Sequence, residues 1–127
     1  MADNLTDVVE NQLLDALVGN AAYSVTTPIK LALVTANGSD SAGGTEVAGG
    51  SYSRQNIAFS AASAGQIVSS GIVTFGNMPT TTVVGIELWD SAATAKRLAY
   101  GPLTAPKSLV SGDTLQFAAG SVTMTLG

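Results

Sequence analysis

The segment GIELWDS places two carboxylates, Glu87 and Asp90, on either side of the single tryptophan, Trp89. Paired carboxylates beside an aromatic ring are the groups that glycoside hydrolysis requires, provided that they face one another across a sugar. In an extended strand Glu87 and Trp89 share a face, whereas Asp90 falls at the strand end, where an acidic side chain more often caps a turn. The spacing therefore favours a structural role for Asp90 over a hydrolytic pair.

A glycine-rich segment is the second candidate for chemistry. Its pairs Gly43-Gly44 and Gly49-Gly50 suggest a phosphate-binding loop, but such a loop needs a lysine and a following helix, and a predicted strand follows here instead. Asp40 and Glu46 could offer oxygen ligands to calcium, although their spacing does not match an EF-hand loop. We therefore expect a flexible connection between strands, with a bound cation in residues 37–50 as the open alternative.

The sequence lacks the residues that most enzymes use. It contains neither histidine nor cysteine, which removes the commonest general base, the thiolate nucleophile and the commonest metal ligands. Serine is abundant, but a Ser-His-Asp triad needs histidine, and none of Lys30, Lys96 and Lys107 stands in a motif that supports a Ser–Lys dyad. We therefore predict that the protein is not an enzyme and uses no cofactor.

Arg54 is the charged side chain that we expect to have a defined partner. It follows Tyr52 by two residues, so a regular strand would place both on one face. Two interpretations stay open: a surface ion pair with Glu46 or Asp90, or an anchor at a protein interface, where arginine and tyrosine are enriched. A third interpretation, a carbohydrate-binding module, requires Tyr52 and Trp89 to be exposed and close together.

The whole chain is poor in charge, at 11% of its 127 residues, while apolar residues make up 46%. Such a surface suits a protein that is packed among neighbours, because an isolated domain normally covers itself with lysine and glutamate. Residues 1–15 hold four acids and no base, so they carry the whole formal charge of −4, and the five scattered cations do not form the basic face that nucleic acid requires. The acidic start and the glycine-broken apolar runs predict neither a signal peptide nor a membrane span.

Residues 1–20 are the helical part of the predicted architecture. The segment 4–18 is amphipathic, since its apolar residues recur at intervals of three and four. Asn4 is the predicted N-cap with Asp7 in a capping-box-like position, and Gly19-Asn20 supplies the stop. This helix either covers an open end of a sheet or docks on a neighbouring subunit. Its single apolar stripe consists of Leu5, Val8, Val9, Leu13, Ala16 and Leu17.

Residues 21–127 predict a β domain of seven to nine short strands that recur about every ten residues. Turn residues separate them, including Asn37-Gly38 after the first strand and Gly101-Pro102, which is expected to stop the strand that begins at Arg97. This spacing favours an antiparallel β-sandwich or barrel-like domain with one N-terminal amphipathic α-helix. The predicted strands cover 29–35, 52–59, 66–69, 71–75, 81–89, 97–100, 114–117 and 122–126.

The order of these segments resembles a family of small virion proteins of tailed bacteriophages. The resemblance covers about residues 5–127 and rests mainly on the segment TEVAGGSYSRQ, on Trp89-Asp90, on Gly101-Pro102-Leu103 and on Gly112-Asp113. Members are often labelled tail-fibre proteins, and some look like head-decoration proteins. They usually carry more aromatic residues before the GIELWD strand than this chain does. The resemblance implies a component of a phage particle and carries no catalytic residues across.

From the resemblance and the composition we expect a non-enzymatic virion protein. The first hypothesis is a capsid decoration protein that binds the major capsid protein or other virion proteins as a homo-oligomer, with a trimer favoured. The alternative is a tail or tail-fibre component that mediates attachment. No nucleic acid or membrane is expected as a partner. The helix or the loop 43–50 would make the contacts, and the candidate interface residues are Leu5, Val9, Leu13, Leu17, Glu46, Tyr52 and Arg54.

Overall fold

The computed structural model describes residues 5–126 and is mainly β, with one helix at its start. Helix α1 spans Asp7–Leu17, and it is neither long nor apolar enough to cross a membrane. The strands that follow are β1 Lys30–Ala36, β2 Thr45–Glu46, β3 Gln55–Asn56, β4 Gln66–Val68, β5 Val73–Met78, β6 Thr81–Trp89, β7 Arg97–Leu109, β8 Asp113–Phe117 and β9 Thr123–Thr125. The predicted mainly β class with one N-terminal helix is confirmed, while the sandwich or barrel arrangement stays a prediction.

The largest sheet has five antiparallel strands. Its order is β2-β1-β6-β7, and β3 pairs with β1 as well, beyond the end of β2. Strand β6 is central, because its residues 85–89 pair with β1 on one side while the strand pairs with β7 on the other. Two smaller antiparallel sheets join β4 to β9 and β5 to β8.

Alternation along the strands divides the large sheet into two faces. Leu31 and Leu33 of β1 and Leu88 of β6 lie on the face that joins the hydrophobic core. Phe75 of β5 packs there, with its ring centroid 6.1 Å from that of Phe117 in an edge-to-face arrangement. The opposite face of β6 carries polar groups, and these belong to the candidate site described below.

The start of α1 differs from the prediction. Thr6 is the N-cap residue, and its hydroxyl donates to the carbonyl of Arg97 at 2.9 Å instead of capping the helix. Its backbone N–H donates to the carbonyl of Leu98 at 3.1 Å. The predicted N-cap, Asn4, lies outside the described residues, and Asp7 is the first helical residue, so the capping-box prediction is wrong. Leu5, just before α1, pairs with Ala99 of β7. Because this contact keeps Leu5 extended, the helix begins only at Asp7.

The strand that begins at Arg97 does not stop at Gly101-Pro102 but runs on to Leu109. Strand β7 is the edge of its sheet, and the carbonyl of Leu98 points away from β6, towards Thr6. Alternation then directs the nitrogen of Pro102 towards the same open edge, where the missing N–H costs no ladder hydrogen bond. The prediction failed because it treated proline as a strand breaker without knowing that the strand lies at an edge.

Two other strand predictions need correction. The segment 52–59 contains only the two-residue strand β3, because β1 offers just Lys30 and Leu31 as its partners there. Strand β5 begins at Val73 and continues to Met78, beyond the predicted end at 75.

Candidate functional site

Two features could serve a function: a cluster of charged and aromatic side chains on the outer face of the large sheet, and an apolar groove beside α1. The cluster, called the charged network below, consists of Glu46, Tyr52, Arg54, Glu87, Trp89 and Arg97. The apolar groove lies on the other face of β6, since Leu88 lines it and Glu87 does not.

Glu87 is the enclosed centre of the charged network, with 2% of its surface exposed. Its carboxylate accepts hydrogen bonds from the backbone N–H of Gly44 at 2.8 Å and from Nε1 of Trp89 at 3.2 Å. It also lies 3.5 Å from Nη1 of Arg97. As predicted, Glu87 and Trp89 share a face of the strand. All three neighbours are donors, so this carboxylate acts as an internal acceptor.

The glycine-rich loop after β1 packs on this face of the sheet. Gly44 reaches Glu87 through its backbone, and a Cβ at Gly44 would overlap the carbonyl oxygen of Ala36. In the same loop, the carbonyl of Ser39 accepts a hydrogen bond from Nη2 of Arg97, which lies in β7. Backbone contacts of Ser39 and Gly44 therefore hold this loop against the sheet, and the flexibility expected from its glycines stays a prediction.

Arg54 pairs with Glu46, which is one of its two predicted partners. Its Nε and Nη2 donate to the two carboxylate oxygens at 3.0 and 2.9 Å, a bidentate arrangement. Its guanidinium carbon lies 4.0 Å from the centre of the Trp89 ring. The hydroxyl of Tyr52 donates to the same carboxylate at 2.6 Å and accepts from the N–H of Leu33 at 3.0 Å. Glu46, Tyr52 and Arg54 therefore lie along the edge of β1 between β2 and β3, where Tyr52 accepts the hydrogen bond of the Leu33 N–H.

The protonation of these groups suits a structural role. Burial raises the pKa of Glu46, but the hydrogen bonds from Arg54 and Tyr52 outweigh it, so the pKa lies below its usual value. Burial and the bond to Glu46 raise the pKa of Tyr52, and the bond to Glu46 raises the pKa of Arg54. All three pKa values move away from neutrality, whereas a general acid or base works best with a pKa near the operating pH.

The second carboxylate of GIELWDS serves a turn, as predicted. Oδ1 of Asp90 accepts from the backbone N–H of Lys96 at 2.7 Å and of Ala92 at 3.3 Å. The bond from Lys96, the strongest influence, lowers the pKa of Asp90 below its usual value. Glu87 and Asp90 therefore have separate partners and do not form the facing pair that a glycosidase needs.

Two further interpretations from the sequence, a cation site at Asp40 and Glu46 and a carbohydrate-binding platform of Tyr52 and Trp89, also lose support. Asp40 contacts the hydroxyl of Tyr100 while Glu46 binds Arg54, and within residues 5–126 no three acidic side chains converge as a metal site would require. One face of the Trp89 ring lies under Arg54, and the Tyr52 ring stacks on Phe75 with centroids 6.0 Å apart. The two rings therefore do not form an open platform for a sugar.

The apolar groove has a volume of about 490 Å³ and lies between α1 and the sheet of β4 and β9. Leu88 and Ala99 are buried at its base. Among the residues that the structure describes, no charged side chain lines it. One side is lined by Val9 and Leu13 of α1 and by Leu5, which precedes the helix, and the opposite side includes Phe59, Ile67 and Leu126.

A second apolar surface lies at the end of α1. Leu14, Leu17 and Val18 are 61%, 80% and 70% exposed, and we call them the apolar ridge. The stripe predicted from the sequence is therefore wrong in part, because Val9 and Leu13 line the groove while Leu17 does not pack. The reason is positional: the first turn of α1 is bound to β7, and the last turn extends past the groove before the chain turns at Gly19.

The seven predicted interface residues thus fall into three places. Glu46, Tyr52 and Arg54 lie together in the charged network, and Leu17 lies on the apolar ridge. The groove is lined by the other three, Leu5, Val9 and Leu13. Sequence reasoning missed Arg97 as the partner of Glu87, although it is the second of only two arginines. It also missed the β4–β9 side of the groove, because no local sequence pattern predicts that β4 pairs with β9.

Comparison with known proteins adds one finding. The family model described as podophage GP4 fiber I protein gp80 matches residues 4–125. This range contains the whole charged network and every residue of the groove named above except Leu126. No curated protein matches the chain.

Proposed function

Since the chain belongs to the podophage GP4 fiber I protein gp80 family, we propose that it is a non-enzymatic structural component of the virion that forms part of a fibre. The family match carries this proposal, because it extends over residues 4–125 and so includes the helix and all of the strands. The words "fiber I" in the family description favour a fibre over other positions on the particle.

The geometry supports a protein that acts through contact. In the charged network, the carboxylates of Glu87 and Glu46 are already hydrogen-bonded to groups of the same chain, Glu87 to the N–H of Gly44 and Glu46 to Arg54. The groove and the ridge of α1 offer apolar surface to a partner. Exposed apolar surface of this kind marks interaction sites. Many equivalent copies on one particle would multiply contacts that are individually weak.

Capsid decoration is the second candidate, and the charge-poor surface favours it. Only 11% of the residues are charged, which suits a protein with neighbours on several sides. A decoration protein would bind the assembled shell and stabilise it by mass action. A location on the head surface and one on a fibre both leave the protein in the virion.

Labelling and counting the protein on purified phage test this proposal. Antibodies against the purified chain, coupled to gold, should mark fibres in negative stain, and quantitative mass spectrometry should give a copy number set by the number of fibres. Gold spread over the whole head, with a copy number that follows the shell lattice, would favour decoration instead. Absence of the chain from purified particles would overturn the proposal.

A further inference from the structure

We propose that Asn37 and Gly38 form a site of spontaneous covalent modification, at which the folded chain loses the carboxamide nitrogen of Asn37 as ammonia. The product is aspartate or isoaspartate at position 37, so the loop after β1 gains a negative charge. The proposal does not depend on the position of the protein in the virion, and its experiments use the purified chain alone.

The sequence singles out one asparagine for this chemistry. The amide of asparagine is chemically labile, and it is attacked most readily when the next residue is glycine, because no Cβ then obstructs the backbone nitrogen or restricts its rotation. Of the six asparagines in the chain, Asn37 is followed by glycine. The other five are followed by Leu, Gln, Ala, Ile or Met.

The structure leaves both reacting groups available. Asn37 is exposed, so water and hydroxide reach it. Gly38 lies beyond the end of β1, so its N–H takes no part in the strand ladder. Among residues 5–126, neither the carboxamide of Asn37 nor the N–H of Gly38 has a hydrogen-bond partner. No hydrogen bond has to break before the two groups meet.

The reaction needs no reagent except water. The backbone nitrogen of Gly38 attacks Cγ of Asn37, and the new N–C bond closes a cyclic succinimide. The Cγ–NH2 bond breaks, and the departing group takes up the proton of the Gly38 N–H and leaves as ammonia. Water then opens the ring at one of its two carbonyls, which gives aspartate or isoaspartate. No atom is oxidised or reduced.

The fold requires the glycine that makes the asparagine reactive. A Cβ at Gly38 would lie 2.5 Å from the carbonyl oxygen of Ala42, so a larger residue does not fit there. The carboxamide of Asn37 lies over Gly85 of β6, where a Cβ would overlap its Oδ1. Packing therefore keeps the Asn37-Gly38 pair in place.

The product disturbs the face of the sheet that carries Glu87. Gly85 and Glu87 share that face of β6, so a carboxylate at position 37 lies on the same side as the enclosed carboxylate and repels it. Isoaspartate also adds a methylene to the main chain directly before Gly38, where Ala42 leaves no room. Both changes weaken the hydrogen bond of 2.8 Å from the N–H of Gly44 to Glu87.

The first test follows the mass of tryptic peptides while the folded chain is kept in warm, mildly alkaline buffer. Cleavage after Lys30 and Arg54 releases peptide 31–54, in which Asn37 is the only side-chain amide. This peptide should gain the mass of OH in place of NH2, after correction by a digest taken at time zero. Peptides 1–30 and 55–96 contain the other five asparagines and should keep their mass over the same period.

The synthetic peptide 31–54 measures the same reaction without the fold. If the free peptide converts while the folded chain keeps Asn37 intact, the proposal is overturned. Conversion of another asparagine before Asn37 would contradict it equally.

The second test uses the added charge. On anion exchange, the incubated native chain should accumulate a more acidic species, and Asn37→Ser should not, because serine has no amide to lose. Asn20→Ser is the matched control, since Asn20 is also exposed but precedes alanine. It should accumulate the acidic species as the native chain does. Equal accumulation in Asn37→Ser would contradict the proposal.

The collected acidic species tests the structural consequence. It should unfold at a lower urea concentration than the unmodified chain, because its loop no longer donates well to Glu87. An identical urea midpoint would show that the change at position 37 does not reach Glu87, and would overturn this part of the proposal.

Discussion

Replacing Glu87 by glutamine removes a charge from the enclosed centre of the network and keeps the shape of the side chain. The carboxylate accepts from the N–H of Gly44 and from Nε1 of Trp89, and it faces Arg97, whose side chain is 9% exposed. Among the described residues, Nη1 of Arg97 is buried without a hydrogen-bond partner. Glu87 is therefore both a shared acceptor and the nearest balancing charge.

The magnitude follows from these contacts. The amide of glutamine has one acceptor oxygen where the carboxylate has two, so Gly44 or Trp89 loses its acceptor, at a cost of about 1–3 kcal/mol. Arg97 loses its counter-charge, and breaking a buried ion pair costs about 3–5 kcal/mol. At 3.5 Å the pair is long, which places each contribution at its low end and the expected loss for Glu87→Gln at about 4 kcal/mol in total. This is a large share of a typical stability of about 5–15 kcal/mol.

Urea unfolding, followed by the fluorescence of Trp89, measures this loss. The midpoint should fall while the slope of free energy against urea stays the same. Asp15→Asn is the control, because this side chain is exposed and should change the free energy of unfolding by less than about 0.5 kcal/mol. The double variant Glu87→Gln/Arg97→Met should cost less than the sum of the single changes, since the two side chains act as a pair. A loss below about 1 kcal/mol for Glu87→Gln would refute the reasoning and leave this carboxylate available to a partner.

Three further outcomes follow from the same contacts. Gly44→Ala should lower the free energy of unfolding by about 2 kcal/mol, since its Cβ would overlap the carbonyl of Ala36; unchanged urea unfolding would mean that the loop is not packed on the sheet. The pKa of Glu46 is lowered in the folded state, so its pair with Arg54 should stabilise the fold above the ordinary glutamate pKa of about 4.3 and lose this effect as the pH falls through the lower folded value. Unfolding curves across acid pH should then be less pH-dependent for Glu46→Gln than for the native chain, and equal slopes would contradict this assignment. Phe75→Ala should cost about 3–5 kcal/mol through the cavity it leaves in the core, and a thermal melt that moves by only a degree or two would show that the core can close around the loss.

Local patterns predicted the elements that local forces determine. The helix ends at Leu17, and Gly19, whose φ of +79° suits glycine, turns the chain just beyond it. Strand β6 has the predicted bounds because a β-branched apolar run favours a buried central strand. The pair of Arg54 with Glu46 was among the predictions because these residues are close in sequence and few other charges compete.

What the sequence did not reveal depends on distant pairing. Pro102 stays within β7 because that strand is an edge: among the described strands, β7 pairs with β6 alone. The groove needs β4 to meet β9, which brings Ile67 opposite Met124. Arg97 reaches Glu87 across the register of β6 and β7, so neither residue marks the other in the sequence.

A high-resolution map of the intact phage would test most directly the claim that this chain works by contact through its apolar surfaces. With the structure fitted into the map, the account predicts density against Leu88, Leu126 and the rest of the groove, with the last turn of α1 buried against a neighbour. A map in which every copy leaves both the groove and the ridge open to solvent would contradict it.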